Sequence, residues 1–509
     1  MKPILLRLEP WLLFAAVLGL LLVVQGNHLV YTNDEGIILD ASRRMVEGER
    51  PYVDFFGYMS PGSYWLQSAV FQLFGVSLRA GRLVVLADFA ALCAMIFWLT
   101  ARFASRRAGW TAALLFLAFQ ATQPGLLTAQ HRWDSAALSL LSIVLLVRGS
   151  DSRASLWFAA AGVVQAAAVF FTPSMGLLVM ATAAWLLLQP SLRPHLAPFA
   201  AGGILLAATL LAAMIFNGTL EAFLRQMLWL KENYSGVNIM PYGSIIGGYG
   251  ALFRGATGVE LILRTGIVFC IALPAILPVT ALAAWSIAFL RGRKPADASL
   301  LLLLLAAMAA SVATAFPRAD VMHLAFVAAP ATVLAAVWSA RHLPPRAGFA
   351  MVLFLGFWAA LFTWNYALMR SGERIVSLPA GDLRIQASEA AAWESLAALV
   401  RPGDTAFVHP YMPVLYFLTQ TRNPTRFSFL ASGMMKAREE RIALDELDRD
   451  PPRWVLHLPL STEEYMRVLP SASPADSRME ALERWIEAHY RPLPDPLYVG
   501  GYQLLERKP

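Results

Sequence analysis

The sequence predicts an α-helical polytopic membrane protein with a small C-terminal α/β domain. Of its 509 residues, 58% are hydrophobic and only 15% are charged. A soluble domain has about 45–50% apolar and about 25% charged residues. The apolar residues are also concentrated in runs, such as 83–100 and 300–315. With their flanks, these runs reach the length of about 20 residues that a helix needs to cross a bilayer.

About eleven segments have the length and composition of transmembrane helices. The segment 258–290 is long for one span, so we expect it to be tilted or to break at Pro274 and Pro278. The predicted spans lie near 9–26, 80–101, 108–124, 135–149, 155–171, 174–190, 196–216, 258–290, 298–315, 323–340 and 347–368.

The basic residues between these spans predict how the chain is oriented. Lys and Arg are enriched in cytoplasmic loops, and one alternate set of loops carries most of them. The N-terminus is then cytoplasmic, its first helix is retained, and the C-terminal domain is periplasmic, which suits a bacterial inner membrane. The same loops account for much of the net charge of +7, and no basic stripe interleaved with aromatic residues predicts a nucleic-acid partner. The predicted cytoplasmic set is Lys2, Arg7, Arg102, Arg106, Arg107, Arg148, Arg153, Arg193, Arg291, Arg293, Lys294, Arg341 and Arg346.

The composition divides the chain into a transmembrane domain, residues 1–369, and an α/β domain, residues 370–509. Within the first, residues 27–79 form a long loop on the periplasmic side, which we name the first outward loop. In the second, the pattern predicts strands at 405–409 and 454–458, helices at 388–400, 413–419 and 478–490, and a final strand or hairpin at 498–506 with a bend at Gly500-Gly501.

The first outward loop carries the acidic pair Asp34-Glu35. Two amphipathic helices follow the pair, at 36–47 and 61–74, and both suit the membrane surface. A carboxylate at the start of a helix is stabilised by the helix dipole. The pair is therefore either a functional site or an N-cap, with Asn33 or Asp34 as the capping residue.

Two later outward loops also carry ionisable residues. One reads Gln130-His131-Arg132-Trp133-Asp134, and the other reads Phe316-Pro317-Arg318-Ala319-Asp320-Val321-Met322-His323. Ionisable groups at membrane depth mark function or pair with each other. Asp134 could simply cap its helix, and Arg318 and Asp320 could simply form an ion pair beside an interfacial His323.

Other catalytic motifs are absent from the sequence. There is no Walker A loop, no Gly-x-Ser-x-Gly elbow and no His-Glu-x-x-His motif. The histidines are scattered, which does not indicate a zinc site, and His409 follows a predicted strand, where a structural role is expected.

The first outward loop resembles the acidic motif of the GT-C glycosyltransferase superfamily, and its family 39 branch in particular. That branch includes the protein O-mannosyltransferases and has the aminoarabinose transferase of lipid A as a relative. Weaker similarity in His131–Asp134 and Pro317–His323 extends the resemblance over residues 9–340. The specific motifs are Asp34-Glu35, Ala41-x-Arg43-Arg44-x-x-x-Gly48, Pro51-Tyr52-x-Asp54-Phe55 and Pro61-x-x-Tyr64-x-Leu66, the last ending in Phe74-Gly75.

This resemblance implies transfer of a sugar from a polyprenyl-phosphate donor to an acceptor hydroxyl on a lipid, a cell-envelope glycan or a protein. It implies Asp34 as the general base, supported by Glu35. A divalent metal beside this pair is compatible with the sequence, but no cofactor is required. The remaining candidate residues, for substrate or phosphate binding, are Arg318, His323, Asp320, Arg132, His131, Asp134 and Tyr58.

Two departures from the branch bear on the donor phosphate. Gly62 replaces the second proline of the usual pair, and Ser60 stands where the aminoarabinose transferase has a lysine. Arg318, His323, Arg132 or His131 must then supply the positive charge. The alternative function is a polytopic transporter or lipid flippase, which would place charges or broken helices near the bilayer midplane and show related halves. A polysaccharide polymerase or ligase would share the donor but would not usually carry this first loop.

Overall fold

The computed structural model describes residues 2–123, 125–245, 247–292, 295–469, 471–473 and 479–509. The predicted cytoplasmic residues Arg293 and Lys294 lie outside this range, as do the side chains of Lys2 and Arg7. The predicted helix 478–490 begins outside it as well.

The N-terminal half consists of long apolar helices with two shorter helices in the first outward loop. Ser155–Phe171, Leu196–Phe216 and the loop helix Pro61–Phe74 coincide with their predicted ranges. In chain order the elements are α1 (Lys2–Val24), α2 (Asn33–Val46), α3 (Pro61–Phe74), α4 (Leu78–Phe103), α5 (Arg106–Ala121), α6 (His131–Ser152), α7 (Ser155–Phe171), α8 (Gly176–Leu188) and α9 (Leu196–Phe216), with 3₁₀ turns at Pro173–Met175 and Arg193–His195.

In the second half of the bundle, one predicted helix has its predicted bounds and another is divided. Gly258–Leu290 is one unbroken helix despite Pro274 and Pro278, because neighbouring helices can satisfy the groups that a proline frees in a membrane helix. The predicted span 323–340 is two helices, because the chain breaks at 327–328 and the second helix starts afresh with Pro330 in its first turn. The elements are α10 (Leu220–Asn233), α11 (Tyr249–Phe253), α12 (Gly258–Leu290), α13 (Ala298–Ala313), α14 (Val321–Phe326), α15 (Ala329–His342) and α16 (Pro345–Arg370).

Helices occupy all eleven predicted positions, but their lengths differ. Within the described residues, five are long and apolar enough to cross a membrane: Leu78–Phe103, His131–Ser152, Arg193–Phe216, Gly258–Leu290 and Pro345–Arg370. Four further apolar helices are shorter: Leu8–Val24, Ser155–Phe171, Pro173–Leu188 and Ala298–Ala313. A multi-pass membrane protein follows, while the count of eleven spans stays a prediction.

Aromatic contacts hold the centre of the bundle together. Trp133 of α6 packs edge-on against Phe89 of α4, with ring centroids 5.3 Å apart, and against Phe326 of α14, at 5.0 Å. At one end of the bundle, Arg102 pairs with Asp151 and Arg341 pairs with Asp297. These arginines come from two predicted cytoplasmic loops, so the structure gathers both loops at the same end.

The C-terminal domain is a mixed sheet with flanking helices. Its strand order is β3-β4-β7-β5, with β6 paired to β7, and β3 and β4 are parallel. The predicted strands 405–409 and 454–458, the helices and the bend at Gly500-Gly501 are present within a residue or two. The elements are β1 (Glu373–Leu378), β2 (Gly381–Gln386), α17 (Ala387–Leu399), β3 (Ala406–His409), α18 (Val414–Thr419), α19 (Ala437–Arg449), β4 (Trp454–His457), α20 (Thr462–Val468), α21 (Glu480–His489), β5 (Tyr490–Pro492), β6 (Tyr498–Val499) and β7 (Tyr502–Arg507).

The first outward loop and the C-terminal domain share one hydrophobic core. Phe71 of α3 stacks on Phe417 of α18 with ring centroids 5.7 Å apart. Backbone hydrogen bonds join the two segments, including Leu29 N to Arg384 O (2.9 Å). The placement of α2 at the membrane surface is therefore wrong: residues 35–44 of this helix are all buried, because the C-terminal domain covers the face that the prediction left to lipid. We call the loop and the domain together the outward unit.

Candidate active site

A cavity of about 330 Å³ lies where the outward unit meets the helix bundle. Four segments that are distant in sequence line it. The bundle and its outward loops contribute Thr32, Asn33, Asp34, Ile37, Tyr58, Tyr234, Asn238, Arg318 and His323. The C-terminal domain contributes Tyr411, Phe429, Ala431, Ser432, Met434, Tyr465 and Leu469.

Asp34 is the carboxylate at this cavity, in the first turn of α2. Gln130 Nε2 donates a hydrogen bond to Asp34 Oδ2, across 2.5 Å. The capping alternative is not supported, because the N-cap is Thr32 and no side chain makes a capping hydrogen bond there. The helix dipole favours a negative charge at this position, so Asp34 is held as an oriented carboxylate that faces a cavity.

Glu35 points away from the cavity into a buried ion pair. Arg82 of α4 donates from Nε to Glu35 Oε1 and from Nη2 to Oε2, each at 2.8 Å, and both side chains are almost fully buried. The amide of Ala129 also donates to Glu35 Oε1, at 3.3 Å. This bidentate pair fastens α2 to the bundle. Arg82 was not predicted from the sequence, although an arginine at the start of an apolar helix is the signal that could have revealed it.

Gly36 lets the C-terminal domain approach α2 closely. A Cβ atom at this position would lie 2.0 Å from the amide nitrogen of Val414 and 2.6 Å from the carbonyl carbon of Pro413. Only a residue without a side chain leaves room for that backbone. Arg82 thus holds Glu35, and the C-terminal domain packs on Gly36. The first turn of α2 is therefore fixed on two sides.

Arg318, Asp320 and His323 form a cluster on the same cavity. Asp320 accepts from Arg318 Nε (3.0 Å) and faces His323 Nδ1 (2.9 Å), while Arg318 Nη1 donates to Asn238 Oδ1 (2.6 Å). The predicted ion pair is present, and Arg318 and His323 also line the cavity. Burial tends to raise the pKa of Asp320, but hydrogen bonds and charges from His323 and Arg318 lower it to about 2.

His323 is held with one ring nitrogen on this carboxylate. Burial lowers its pKa, in spite of the hydrogen bond with Asp320, so the neutral ring is favoured near neutral pH. When Nδ1 donates its proton to Asp320, the lone pair of Nε2 remains as an acceptor. An anion that enters the cavity would favour protonation of that nitrogen.

The segment 131–134 contains three predicted substrate- or phosphate-binding residues, His131, Arg132 and Asp134. None of its three candidate residues lines the described part of the cavity. His131 Nδ1 is 2.9 Å from Thr172 Oγ1, Arg132 donates to the carbonyl of Thr314 (3.1 Å), and Asp134 accepts from Ser63. The neighbouring residue Gln130 acts on the cavity indirectly, through its hydrogen bond to Asp34.

Tyr58 lies at the cavity as expected. Its ring stacks on Tyr234 with centroids 6.0 Å apart and meets Phe429 edge-on at 5.3 Å. Burial and the charge of Asp34 raise its pKa well above the usual value, so the phenol stays protonated. Tyr234 and Asn238 were not predicted, because their outward loop (217–257) carries no motif; the fold brings it against Pro317–Ala319 through paired backbone bonds, such as Met240 N to Pro317 O (3.0 Å).

The residues around Asp34 do not fit a divalent cation. Both oxygens of Glu35 are occupied by Arg82, which leaves a single carboxylate on that side of the cavity. No group of three His, Cys, Asp or Glu side chains arranged for a metal occurs in the part of the chain that the structure describes. Mg²⁺ and similar ions require several oxygen ligands, so no metal enters the mechanism below.

Comparison with known proteins confirms the resemblance to this family, although the matched segment begins after the Asp34-Glu35 pair. Residues 59–220 match the family model described as dolichyl-phosphate-mannose-protein mannosyltransferase. The fold is similar to that of ArnT from Cupriavidus metallidurans, solved bound to undecaprenyl phosphate, with a TM-score of 0.58 and 15% identity over 98% of each chain. The Archaeoglobus fulgidus oligosaccharyltransferase, solved with zinc and sulfate, gives a TM-score of 0.49 and 12% identity over 87% of this chain and 67% of that one.

The same archaeal enzyme in complex with an inhibitory peptide and a dolichol phosphate gives a TM-score of 0.49 and 11% identity over 93% of this chain and 72% of that one. No curated protein matches the chain in sequence. The likeness to ArnT shows the fold, which this chain follows over almost its whole length, C-terminal domain included.

Proposed function

We propose that this chain is a membrane glycosyltransferase that moves a sugar from a polyprenyl-phosphate donor to an acceptor hydroxyl. The observation that carries the proposal is one cavity, at one end of a membrane bundle, that is lined by an oriented carboxylate, Asp34, and by Arg318 and His323. The matched mannosyltransferase segment and the ArnT fold support the same class of reaction. We place the cavity on the periplasmic face of a bacterial inner membrane, with the N-terminus cytoplasmic.

The reaction is a displacement at the anomeric carbon of the donor sugar. The acceptor oxygen forms the new bond, and the bond from that carbon to the phosphate oxygen breaks. The polyprenyl phosphate leaves with the bonding electrons. Asp34 takes the acceptor proton as the general base, and Gln130 holds its second oxygen in place. A positioned base contributes about 10²–10⁴-fold to the rate.

The leaving phosphate needs a positive charge at the cavity. Arg318 is oriented by Asp320 and Asn238, and His323 presents Nε2 from the same cluster. Hydrogen bonds from charged donors to phosphate are among the strongest in proteins. Such a cluster stabilises the charge that develops as the phosphate departs, and it replaces the lysine that the sequence lacks at Ser60.

Glu35 and Arg132 have supporting roles in this proposal, whereas His131 and Asp134 contact Thr172 and Ser63. Glu35 fixes the first turn of α2 through Arg82 instead of acting on the substrate. Arg132 adds positive potential, which lowers the pKa of His323. Tyr58 forms part of the wall between Asp34 and the C-terminal domain.

The test is transfer in membranes of a strain that lacks this protein, complemented with wild type, Asp34→Asn or Asp54→Asn. Asp54 lies in the same loop but is bonded to Arg50 at the surface, so it is the matched control. We expect a glycoconjugate to lose a sugar in the deletion strain and to regain it with wild type and Asp54→Asn. Asp34→Asn should lower the rate by about 10²–10⁴-fold. Full activity of Asp34→Asn would refute the role of the base.

A further inference from the structure

The two walls of the cavity differ in charge. Asp34, Arg318 and His323 lie on the wall formed by the first outward loop and the loops of the bundle. The wall formed by the C-terminal domain presents Tyr411, Phe429 and Tyr465 among small or apolar neighbours, and no Asp, Glu, Lys, Arg or His of the described residues lines it. One wall is therefore suited to the donor and the other wall to the acceptor.

The aromatic wall is fixed before any ligand arrives. The ring centroids of Tyr411 and Tyr465 are 6.3 Å apart, and Phe429 packs against Tyr58 at 5.3 Å and against Phe56 at 6.3 Å. The carbonyl of Tyr411 accepts a hydrogen bond from Tyr502 Oη (3.1 Å). Rings held in this way lose little conformational entropy when a ligand binds.

Tyr411 is also close in the chain to the backbone that packs on the first turn of α2, the turn that carries Asp34. It lies two residues before Pro413-Val414, the backbone that packs on Gly36. A ligand on the Tyr411 side of the cavity is thus placed beside the helix that carries Asp34. That is the position an acceptor hydroxyl requires if Asp34 is to take its proton.

The chemistry of this wall selects its ligand. The face of an aromatic ring carries negative charge and binds C–H groups, which sugar rings present on their flat faces. A phosphate or carboxylate on the same wall would lose its hydration without gaining a cation. The available cations face the other side, where the leaving phosphate needs them.

We propose that Tyr411, Phe429 and Tyr465 form the acceptor subsite, and that it takes an uncharged sugar unit of an envelope glycan. This inference rests on the proposed function and names its acceptor. The sugar would lie with its ring face on these side chains, and one of its hydroxyls would lose its proton to Asp34 as the new glycosidic bond forms.

The first experiment asks which molecule receives the sugar. Glycoconjugates of the deletion strain and of the complemented strain are separated into uncharged glycans, phosphorylated lipids and periplasmic proteins, and each fraction is analysed by mass spectrometry. We expect the missing sugar in the uncharged glycan fraction. A sugar lost only from a phosphorylated lipid or a protein would overturn the acceptor subsite and leave the glycosyltransferase intact. No change in any fraction would overturn the proposed function itself.

The second experiment tests the wall directly, in the full-length chain. We expect Tyr411→Ala to lower the rate of transfer about tenfold, because a ring contact and its buried area are lost. Tyr411→Phe should stay within about twofold, since the ring face remains. Both variants should bind undecaprenyl phosphate as the wild type does. Equal rates for Tyr411→Ala and wild type would refute the subsite, and weaker binding of undecaprenyl phosphate would assign the wall to the donor.

A third variant separates loss of the ring face from loss of the fold. Phe429→Leu keeps an apolar side chain while removing the ring face, and we expect it to lower transfer in the same direction by a smaller factor. Thermal unfolding of each purified variant shows whether the fold is retained. Loss of transfer in Phe429→Leu at an unchanged midpoint would support the ring as the cause, whereas full activity would contradict it.

Discussion

The helix bundle and the outward unit are built in different ways. The bundle has an apolar core of helices that follow one another in the chain, and each helix is recognisable by its own composition. The core of the outward unit joins residues 29–80 to residues 376–505, segments separated by the whole membrane domain. The cavity lies where the two meet. The bundle therefore supplies the cationic cluster, while the outward unit positions the carboxylate.

Among the variants that test how the outward unit is held together, the largest effect should come from Gly36→Ala, which breaks the contact between its two segments beside Asp34. A methyl group there would overlap the backbone of Pro413-Val414, so the turn or the domain must move. A displacement of about 1 Å at a catalytic group can cost about 10²-fold in rate. We expect a fall of this order in the turnover number, with binding of undecaprenyl phosphate retained.

The matched control is Gly348→Ala in α16, where an added Cβ meets no atom within 4 Å. This variant should transfer sugar like the wild type. A second comparison, Gly500→Ala, disturbs the same unit at the side chain of Tyr31, which lies outside α2. If Gly36→Ala and Gly500→Ala lowered the turnover number equally, general loosening of the unit would explain the loss and the positioning role would be wrong.

These contacts also mark the limit of what the sequence could predict. The bounds of Gly258–Leu290 and Leu196–Phe216 were predicted because a membrane helix needs a long apolar run, and that need is local. Nothing near Gly36 encodes its contact with Val414, since the partner lies hundreds of residues away. For the same reason α2 was assigned to the membrane surface: its apolar positions were correct, but their partner was in another domain.

The residues of the candidate site also divide into those that the local sequence predicts and those that only the fold reveals. Asp34, Arg318 and His323 were predicted from motifs, and the fold brings them to one cavity. Tyr411, Phe429 and Tyr465 were missed, because a tyrosine in a soluble domain carries no signal of which surface it will face. Glu35 was predicted to support the chemistry directly, whereas its pairing with Arg82 depends on the packing of α2 against α4.

Measurements of the affinity for undecaprenyl phosphate at several pH values test the role of His323, on the bundle side of the cavity. Burial lowers the pKa of His323 below its usual value, and a bound phosphate would raise it again by favouring the charged ring. Binding then takes up a proton, so the affinity for undecaprenyl phosphate should fall as the pH rises between the two pKa values. The fall can reach at most about tenfold per pH unit for one proton.

The variant His323→Gln separates this effect from ionisation of the phosphate itself, which both proteins experience equally. Titration calorimetry or a fluorescence assay at several pH values gives the affinity of each. We expect the wild type to lose more affinity than the variant as the pH rises. Parallel curves would show that His323 does not become protonated when the phosphate binds.

The smallest effect concerns the shared core of the outward unit, at the stacked rings of Phe71 and Phe417. If loop and domain form one cooperative unit, these residues are coupled although 345 positions separate them along the chain. A double-mutant cycle with Phe71→Leu and Phe417→Leu should give a coupling free energy of about 0.5–1.5 kcal/mol in unfolding of the outward unit. Leucine keeps both positions apolar, and Phe89→Leu of the bundle, paired with Phe417→Leu, serves as the uncoupled control. Additive effects of Phe71→Leu and Phe417→Leu would mean that the loop and the domain unfold separately, and the domain could not then hold the Asp34 turn in place through α2.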